Sequence, residues 1–203
     1  MRRLLTVLTA LSALTAQSPS RPSEGGKAVA GEEITCDLAE GQKFHNKGGT
    51  DGAGLCVFAS ITWAARYQNE LRLCDLFNHM LKERGGGYPQ KVDAMIQKYG
   101  KGTPYLQYEG GDPAILKAAL ASGRMPCVTY NGNDCHYRSS IAHMVCLVHL
   151  SDKAAVISDN NFPGDNQFVW MSPEEFLKRW RGGAGGGWAV VLLSPPPPPV
   201  PTN

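Results

Sequence analysis

Between residues 55 and 68 the chain leaves almost no polar face. The run LCVFASITWAARYQ is apolar nearly all round at helical spacing, which predicts a helix from Leu55 to Gln68 buried on most sides. Apolar residues recur at helical spacing over Leu71 to Glu83 and over Pro89 to Tyr99, predicting a second and a third helix. Asp112-Pro113 reads as an N-cap followed by proline at the first helical position, and Gly123 as the stop of a fourth. Beyond it the pattern changes to short runs rich in β-branched and aromatic residues. Pro126 to Tyr130, His143 to Leu150, Ala154 to Ser158, Gln167 to Trp170 and Trp188 to Leu193 are the predicted strands. Ser172-Pro173-Glu174-Glu175 is a capping box ahead of a short helix, Phe176 to Trp180. Helices come first and strands follow, with no strand–helix–strand alternation. That order predicts an α+β fold with an antiparallel sheet.

The two ends are different in kind. MRRLLTVLTALSALTAQS sets two arginines before an apolar run and then small and polar residues, the order of a secretory signal. The run is shorter than the ~20 residues that span a bilayer comfortably. A signal peptide over residues 1–20 is therefore expected, and with it a secreted or periplasmic protein; a retained anchor is the alternative. Residues 21–35 are rich in Ser, Pro, Gly and Lys and read as a disordered linker. Residues 195–203, PPPPPVPTN, form a proline-rich tail, either a stiff spacer or a ligand for a partner that reads extended proline helices. Residues 36–194 remain as one domain, and a chain of 203 residues is long enough to build a substantial core there.

Charge narrows the partners. Lys and Arg total 20 against 18 Asp and Glu, a net charge of +2. Such a balance gives no reason to expect nucleic acid, or a membrane once the signal is removed. Six cysteines in a secreted chain suggest disulfides. Cys127 and Cys135 flank a Tyr-Asn-Gly-Asn turn and could meet across it, whereas Cys146 lies in an apolar strand and reads as a small buried hydrophobe. No Cys or His spacing makes a zinc pattern.

Three places carry candidate chemistry. Cys56 opens the buried helix after a glycine-rich stretch, GGTDGAG. Backbone N–H groups and the helix dipole at such a site favour a thiolate, and the same amides suit an oxyanion hole. His143 begins the strand HMVCLVHL after a polar turn, where an imidazole faces a helix N-terminus across a cleft. His149 has the same strand parity and is expected to be structural. Ser158-Asp159-Asn160-Asn161 follows the next strand, after a tight turn near Ser151-Asp152-Lys153, so the hairpin returns a side-chain oxygen to the imidazole. Taken singly, each has an ordinary reading: a core cysteine, a hydrogen-bonded core histidine, a turn. The conjunction of Cys, then His, then Asn or Asp is what points to a thiol hydrolase.

Several stretches together resemble papain-like cysteine peptidases. GAGLCVFAS is similar to that family's nucleophile segment. GGGYPQKVDAMIQKYG is similar to its Gly-Gly-Tyr-Pro turn and helix, DPAILKAALASGRMPCVTY to the helix and strand ahead of the histidine, AHMVCLVHL to the histidine strand, and DNNFPG to the asparagine segment. The resemblance implies a buried N-terminal helix packed on an antiparallel, barrel-like sheet with the catalytic pair between them. It implies Cys56 as nucleophile, His143 as base, and Asn160 as the orienting residue with Phe162 as its apolar shield. With no gap in the hairpin Asp159 takes that place, as in the related bacteriocin-processing peptidases. Gly86 and Gly87 would offer backbone to an extended substrate, with Tyr88, Pro89 and Ala142 near a side-chain pocket. Where the family has its oxyanion glutamine this chain has Thr50, leaving Asn46 and Gln42 as further candidates. Ala53 stands at the family's disulfide position, and Val57 replaces the residue after the nucleophile.

The expected activity is thus a thiol-dependent hydrolase, a cysteine peptidase acting on a peptide or protein substrate with no cofactor or metal. A peptidoglycan amide hydrolase uses the same chemistry, and a transferase would replace water by an amine or thiol. The rival class is a papain-like module that binds peptides or proteins without cleaving them, which Thr50 favours.

Overall fold

The apolar run forms helix α1 (Leu55–Tyr67), buried without a break from Val57 through Ala65. A computed structural model of the protein describes residues 28–49, 53–132, 137 and 139–195. The signal expected at 1–20, Thr50, Cys135 and the tail from residue 196 lie outside the described residues. Gly54 starts α1 in the left-handed region at φ 68°, a conformation glycine adopts at no steric cost. The second helix is shorter than its pattern, α2 (Leu76–Met80). The Glu70 carboxylate takes the Arg72 backbone N–H at 3.2 Å and its guanidinium at 2.8 and 2.9 Å, holding residues 71–75 in turns.

Helix α3 (Pro89–Tyr99) matches expectation. Strand β1 (Tyr105–Tyr108) follows and was not foreseen. It is a four-residue edge strand, mostly half-exposed and without a clean alternation. Helix α4 (Ala114–Ala121) begins where the Asp112 Oδ1 accepts the Ala114 N–H at 2.9 Å, and the chain leaves it at Gly123, φ +72°. The remaining elements are β2 (Cys127–Asn131), β3 (Ala142–Leu150), β4 (Ala155–Ser158), β5 (Val169–Met171), α5 (Pro173–Arg181) and β6 (Ala189–Leu192). The capping box is real: Ser172 Oγ accepts the Glu175 N–H at 3.2 Å.

The result is α+β with one antiparallel sheet in the order β1-β6-β2-β3-β4-β5. The sheet is open, which corrects the barrel-like expectation: β1 pairs with β6 and β5 with β4, leaving two free edges. Helix α1 crosses β3, β2 and β6, while α4 lies against β3 and α5 against β2. Ser60 of α1 donates to the Met144 carbonyl at 3.0 Å, fixing helix to strand.

One irregularity governs the site. The β3–β4 register pairs Cys146 with Ser158 and Leu147 with Ile157, then shifts so that His149 pairs with Val156. Val148 is the extra residue of a bulge, and the Thr35 and Cys36 N–H groups both bond its carbonyl at 3.0 Å. A one-residue shift moves side chains to the opposite face. His149 therefore does not share a face with His143, despite their equal parity in the sequence.

Two further expectations change. The polar segment read as linker to residue 35 is attached from Glu32 onward: Glu32 Oε2 lies 2.9 Å from His149 Nε2, and Thr35 Oγ1 lies 2.8 Å from His149 Nδ1. Cys127, which could have met Cys135 across its turn, has a free thiol. Its strand position directs it into the core opposite Cys146. Among the described residues no helix is long and apolar enough to cross a membrane.

Candidate active site

Cys56 sits in the first turn of α1, two residues after the left-handed Gly54. The first N–H groups of a helix have no intrahelical acceptor and point out of its end. The GGGYP turn runs directly against this end. A Cβ on Gly54 would stand 1.8 Å from the Gly87 nitrogen, and one on Gly87 would stand 2.4 Å from the Val57 side chain. Only two glycines permit that approach, and it brings Gly86 and Gly87 beside the Cys56 turn. Tyr88 is the N-cap of α3 with Pro89 at its first position, and its ring is about half exposed, at 49%. Ala142 is exposed at the start of β3, paired with Asn131.

His143 follows it, buried at 7% exposure. Its Nε2 lies 2.7 Å from Asp159 Oδ1, and the Cys56 thiol is near enough to raise the imidazole's pKa. With Nε2 committed to the carboxylate, Nδ1 is the nitrogen left for sulfur. Burial alone would lower the imidazole's pKa. The hydrogen bond that the ring donates to Asp159, the nearby Cys56 thiol and the Asp159 charge together raise it to about 9. Asp159 is buried too, which pushes its carboxyl up, yet His143, the Tyr137 hydroxyl and the Asn161 N–H hold it below the usual carboxylate value. Tyr137 donates to Oδ2 at 2.6 Å and the Asn161 N–H to Oδ1 at 2.8 Å. Asn161 Nδ2 in turn donates to the Tyr137 oxygen at 2.8 Å.

The residue meeting His143 is therefore Asp159, and the alignment of Asn160 with the family's asparagine is corrected. The Val148 bulge is the cause. Continuing the register of Cys146 with Ser158 puts residues 157 and 159 on the face that carries His143, and residue 160 on the other. Asn160, fully buried, works as a tie. Its Nδ2 reaches the Cys56 carbonyl at 3.1 Å, Ser60 Oγ at 2.9 Å and the Met144 carbonyl at 3.0 Å. The α1 turn and the start of β3 are thereby held at one spacing.

Two of the oxyanion candidates are accounted for. Asn46 donates its side-chain amide to Asn160 Oδ1 at 2.6 Å and its backbone N–H to the Asn160 carbonyl at 3.1 Å, so its amide is committed within this tie. The Gln42 carbonyl accepts from Arg66 Nη1 at 2.8 Å. Arg66 lies about 15 Å along α1 from Cys56 at 1.5 Å per residue, so this bond ties the Gln42 backbone to a side chain from the far half of the helix. The backbone N–H of Cys56, in the first turn of α1, is a further donor at this end of the helix.

Tyr137 was missed from the sequence. It falls in a polar turn, NDCHYRSS, with no periodicity to mark it. Its ring meets His143 edge-on at 5.9 Å and Phe162 at 5.8 Å, so Phe162 reaches the site through Tyr137. Among the described residues no group of three or more His, Cys, Asp and Glu side chains could hold a metal ion. Neither a family model nor a curated protein sequence matches the chain.

Proposed function

We propose that the protein is a thiol-dependent amide hydrolase of the papain-like type, with Cys56 as nucleophile, His143 as acid and base, and Asp159 as the residue that orients the imidazole. The observation that carries this reading is the position of His143, bonded to a buried carboxylate at 2.7 Å and near enough to the Cys56 thiol for the sulfur to raise its pKa. Sulfur attacks the carbonyl carbon and the thiol proton goes to His143 Nδ1. His143 passes that proton to the leaving amine, and a thioester remains. Water then attacks the thioester, giving its proton to His143, and the carboxylic acid leaves as the thiol is restored. Throughout, Asp159 accepts from Nε2–H, fixing the tautomer that presents Nδ1 to sulfur. The Cys56 N–H at the end of α1 stabilises the oxyanion. Peptide is the favoured substrate, because the Gly86–Gly87 backbone beside Cys56 suits an extended chain.

One observation favours a second reading, a binding module without turnover. Asn46 donates its side-chain amide to Asn160, which draws this candidate oxyanion donor into a structural tie. Incubation of the protein with an unfolded polypeptide and, separately, with purified cell wall decides between them. New peptides lost in Cys56→Ala support a peptidase, and release of wall fragments lost in the same variant makes the substrate a peptidoglycan amide. Retention of either material without cleavage supports the binding module.

A further inference from the structure

The core of the sheet holds three thiols that the proposed reaction does not use. Cys36, Cys127 and Cys146 are all buried, the last two completely. Cys127 of β2 stands directly opposite Cys146 of β3. The hydrogen bonds on either side define the kind of pair. Leu147 N–H donates to the Pro126 carbonyl and Thr129 N–H to the Trp188 carbonyl, both at 2.9 Å. The Cys127 backbone groups thus face β6, and the pair with Cys146 is a non-hydrogen-bonded one. Such pairs bring their Cα atoms to about 4.5 Å, within the roughly 4.4–6.8 Å that a disulfide bridges. The Cys146 thiol donates to the Ser60 carbonyl at 3.5 Å, and the two sulfurs are near enough for Cys146 to raise the Cys127 thiol's pKa. Cys36 is differently placed: its sulfur points at the Leu147 and Val148 carbonyls, at 3.7 and 3.6 Å.

We propose that Cys127 and Cys146 form a cross-strand disulfide when the chain folds in an oxidising environment. Each thiol gives up one proton and one electron, the S–S bond forms between them, and a disulfide-bearing oxidant such as glutathione disulfide is reduced to two thiols. The bridge lies on β3 a few residues from His143 and ties that strand to β2, so it fixes the base against Cys56 without touching the reaction. Burial pushes the Cys127 thiol well above its ordinary value, so in the folded sheet it is a poor nucleophile for exchange. The bond therefore forms before the sheet closes and is protected afterwards.

The test is refolding of the reduced full-length chain in a glutathione redox buffer, alkylation in denaturant without reductant, and tryptic peptide mass spectrometry. Arg138 separates Cys127 from Cys146, so the bridge joins two peptides and is lighter by its two thiol hydrogens. The linked pair is expected in the wild type and in Cys36→Ala, Cys56→Ala and Cys135→Ala, and is lost in Cys146→Ala. Recovery of Cys127 and Cys146 as alkylated thiols, or linkage of Cys127 to Cys135 or of Cys146 to Cys36, overturns the proposal. As a second measurement, reductant lowers the Tm of the oxidised wild type but not that of Cys127→Ala; equal Tm values with and without reductant in both contradict it.

Discussion

Replacing Asp159 by asparagine separates the two neighbours that the sequence left as alternatives. In the wild type His143 is held at about 9 against an ordinary 6.5, which corresponds to about 3 kcal/mol in favour of the imidazolium at 1.36 kcal/mol per unit. Burial works against that charge, so the excess comes from the Asp159 bond and from Cys56. Asp159→Asn keeps the shape and the burial but removes the charge. The His143 pKa is then expected to fall by about 2 units or more, and turnover by ~100-fold or more at the tenfold per 1.36 kcal/mol of barrier. Asn160→Ala acts elsewhere. It strips partners from the Cys56 and Met144 carbonyls, Ser60 and Asn46, and orphaned buried groups cost about 1–3 kcal/mol each. That variant is expected to lose several degrees of Tm while its His143 still titrates near the wild-type value. Proton NMR of the imidazole across pH, with thermal unfolding of both variants, is the assay. An unchanged His143 titration in Asp159→Asn, or a large fall in a fully stable Asn160→Ala, refutes the assignment.

The His143–Asp159 pair also predicts how stability depends on pH. The raised His143 contributes fully below its ordinary 6.5 and loses that contribution as pH rises through about 9. The depressed Asp159 contributes above its ordinary 3.8 and loses this as pH falls through its lowered value. Denaturation midpoints at about pH 5, 7 and 10 should therefore fall on the alkaline side, and Asp159→Asn should flatten that fall; an equal decline in both proteins assigns it to other groups. Tyr137→Phe removes one donor from Asp159, so the acid limb of the pH–rate profile should move up with a loss in kcat of ~3–10-fold, as for a bond worth about 1 kcal/mol; a lowered Tm with an unmoved acid limb makes Tyr137 merely structural. Gly54→Ala forces a Cβ to 1.8 Å from the Gly87 nitrogen at φ +68° and should cost ~3 kcal/mol or more in urea unfolding. A change under about 0.5 kcal/mol, the range of ordinary surface substitutions, would mean that the two loops are not in contact.

Much of the scaffold was legible because it rests on local pattern. The α1 run has no polar face, and Ser172 through Glu175 and Asp112-Pro113 state their helix starts in their own chemistry. Strand β1 was not legible, since a short half-exposed edge strand has little alternation to read. Helix α2 looked longer than it is because the Glu70–Arg72 bonds that hold its first residues in turns depend on side-chain geometry. The most consequential loss was Val148. HMVCLVHL reads as an uninterrupted buried strand, and nothing in those letters marks the residue that bulges. Its carbonyl is claimed by Thr35 and Cys36 from far along the chain, a tertiary effect. That one residue decides whether Asp159 or Asn160 faces His143, and it removes His149 from the same face. Cys56 and His143 were legible as a pair from their positions at the start of a buried helix and of a strand. Tyr137 was not, because a tyrosine in a polar turn carries no signal until the fold brings Asp159 to it.

The central claim is that His143 activates Cys56, and the rate of iodoacetamide labelling at Cys56 tests it most directly. The purified protein and its His143→Ala variant are labelled across neutral pH and read by peptide mass spectrometry, with Cys74, a second partly exposed thiol, as the internal standard. Labelling of Cys56 that is faster than Cys74 at pH below about 7, where an unassisted thiol is mostly protonated, and that is lost in His143→Ala, is the predicted result. Equal and slow labelling of Cys56 in both proteins would make it an ordinary core cysteine and contradict the account.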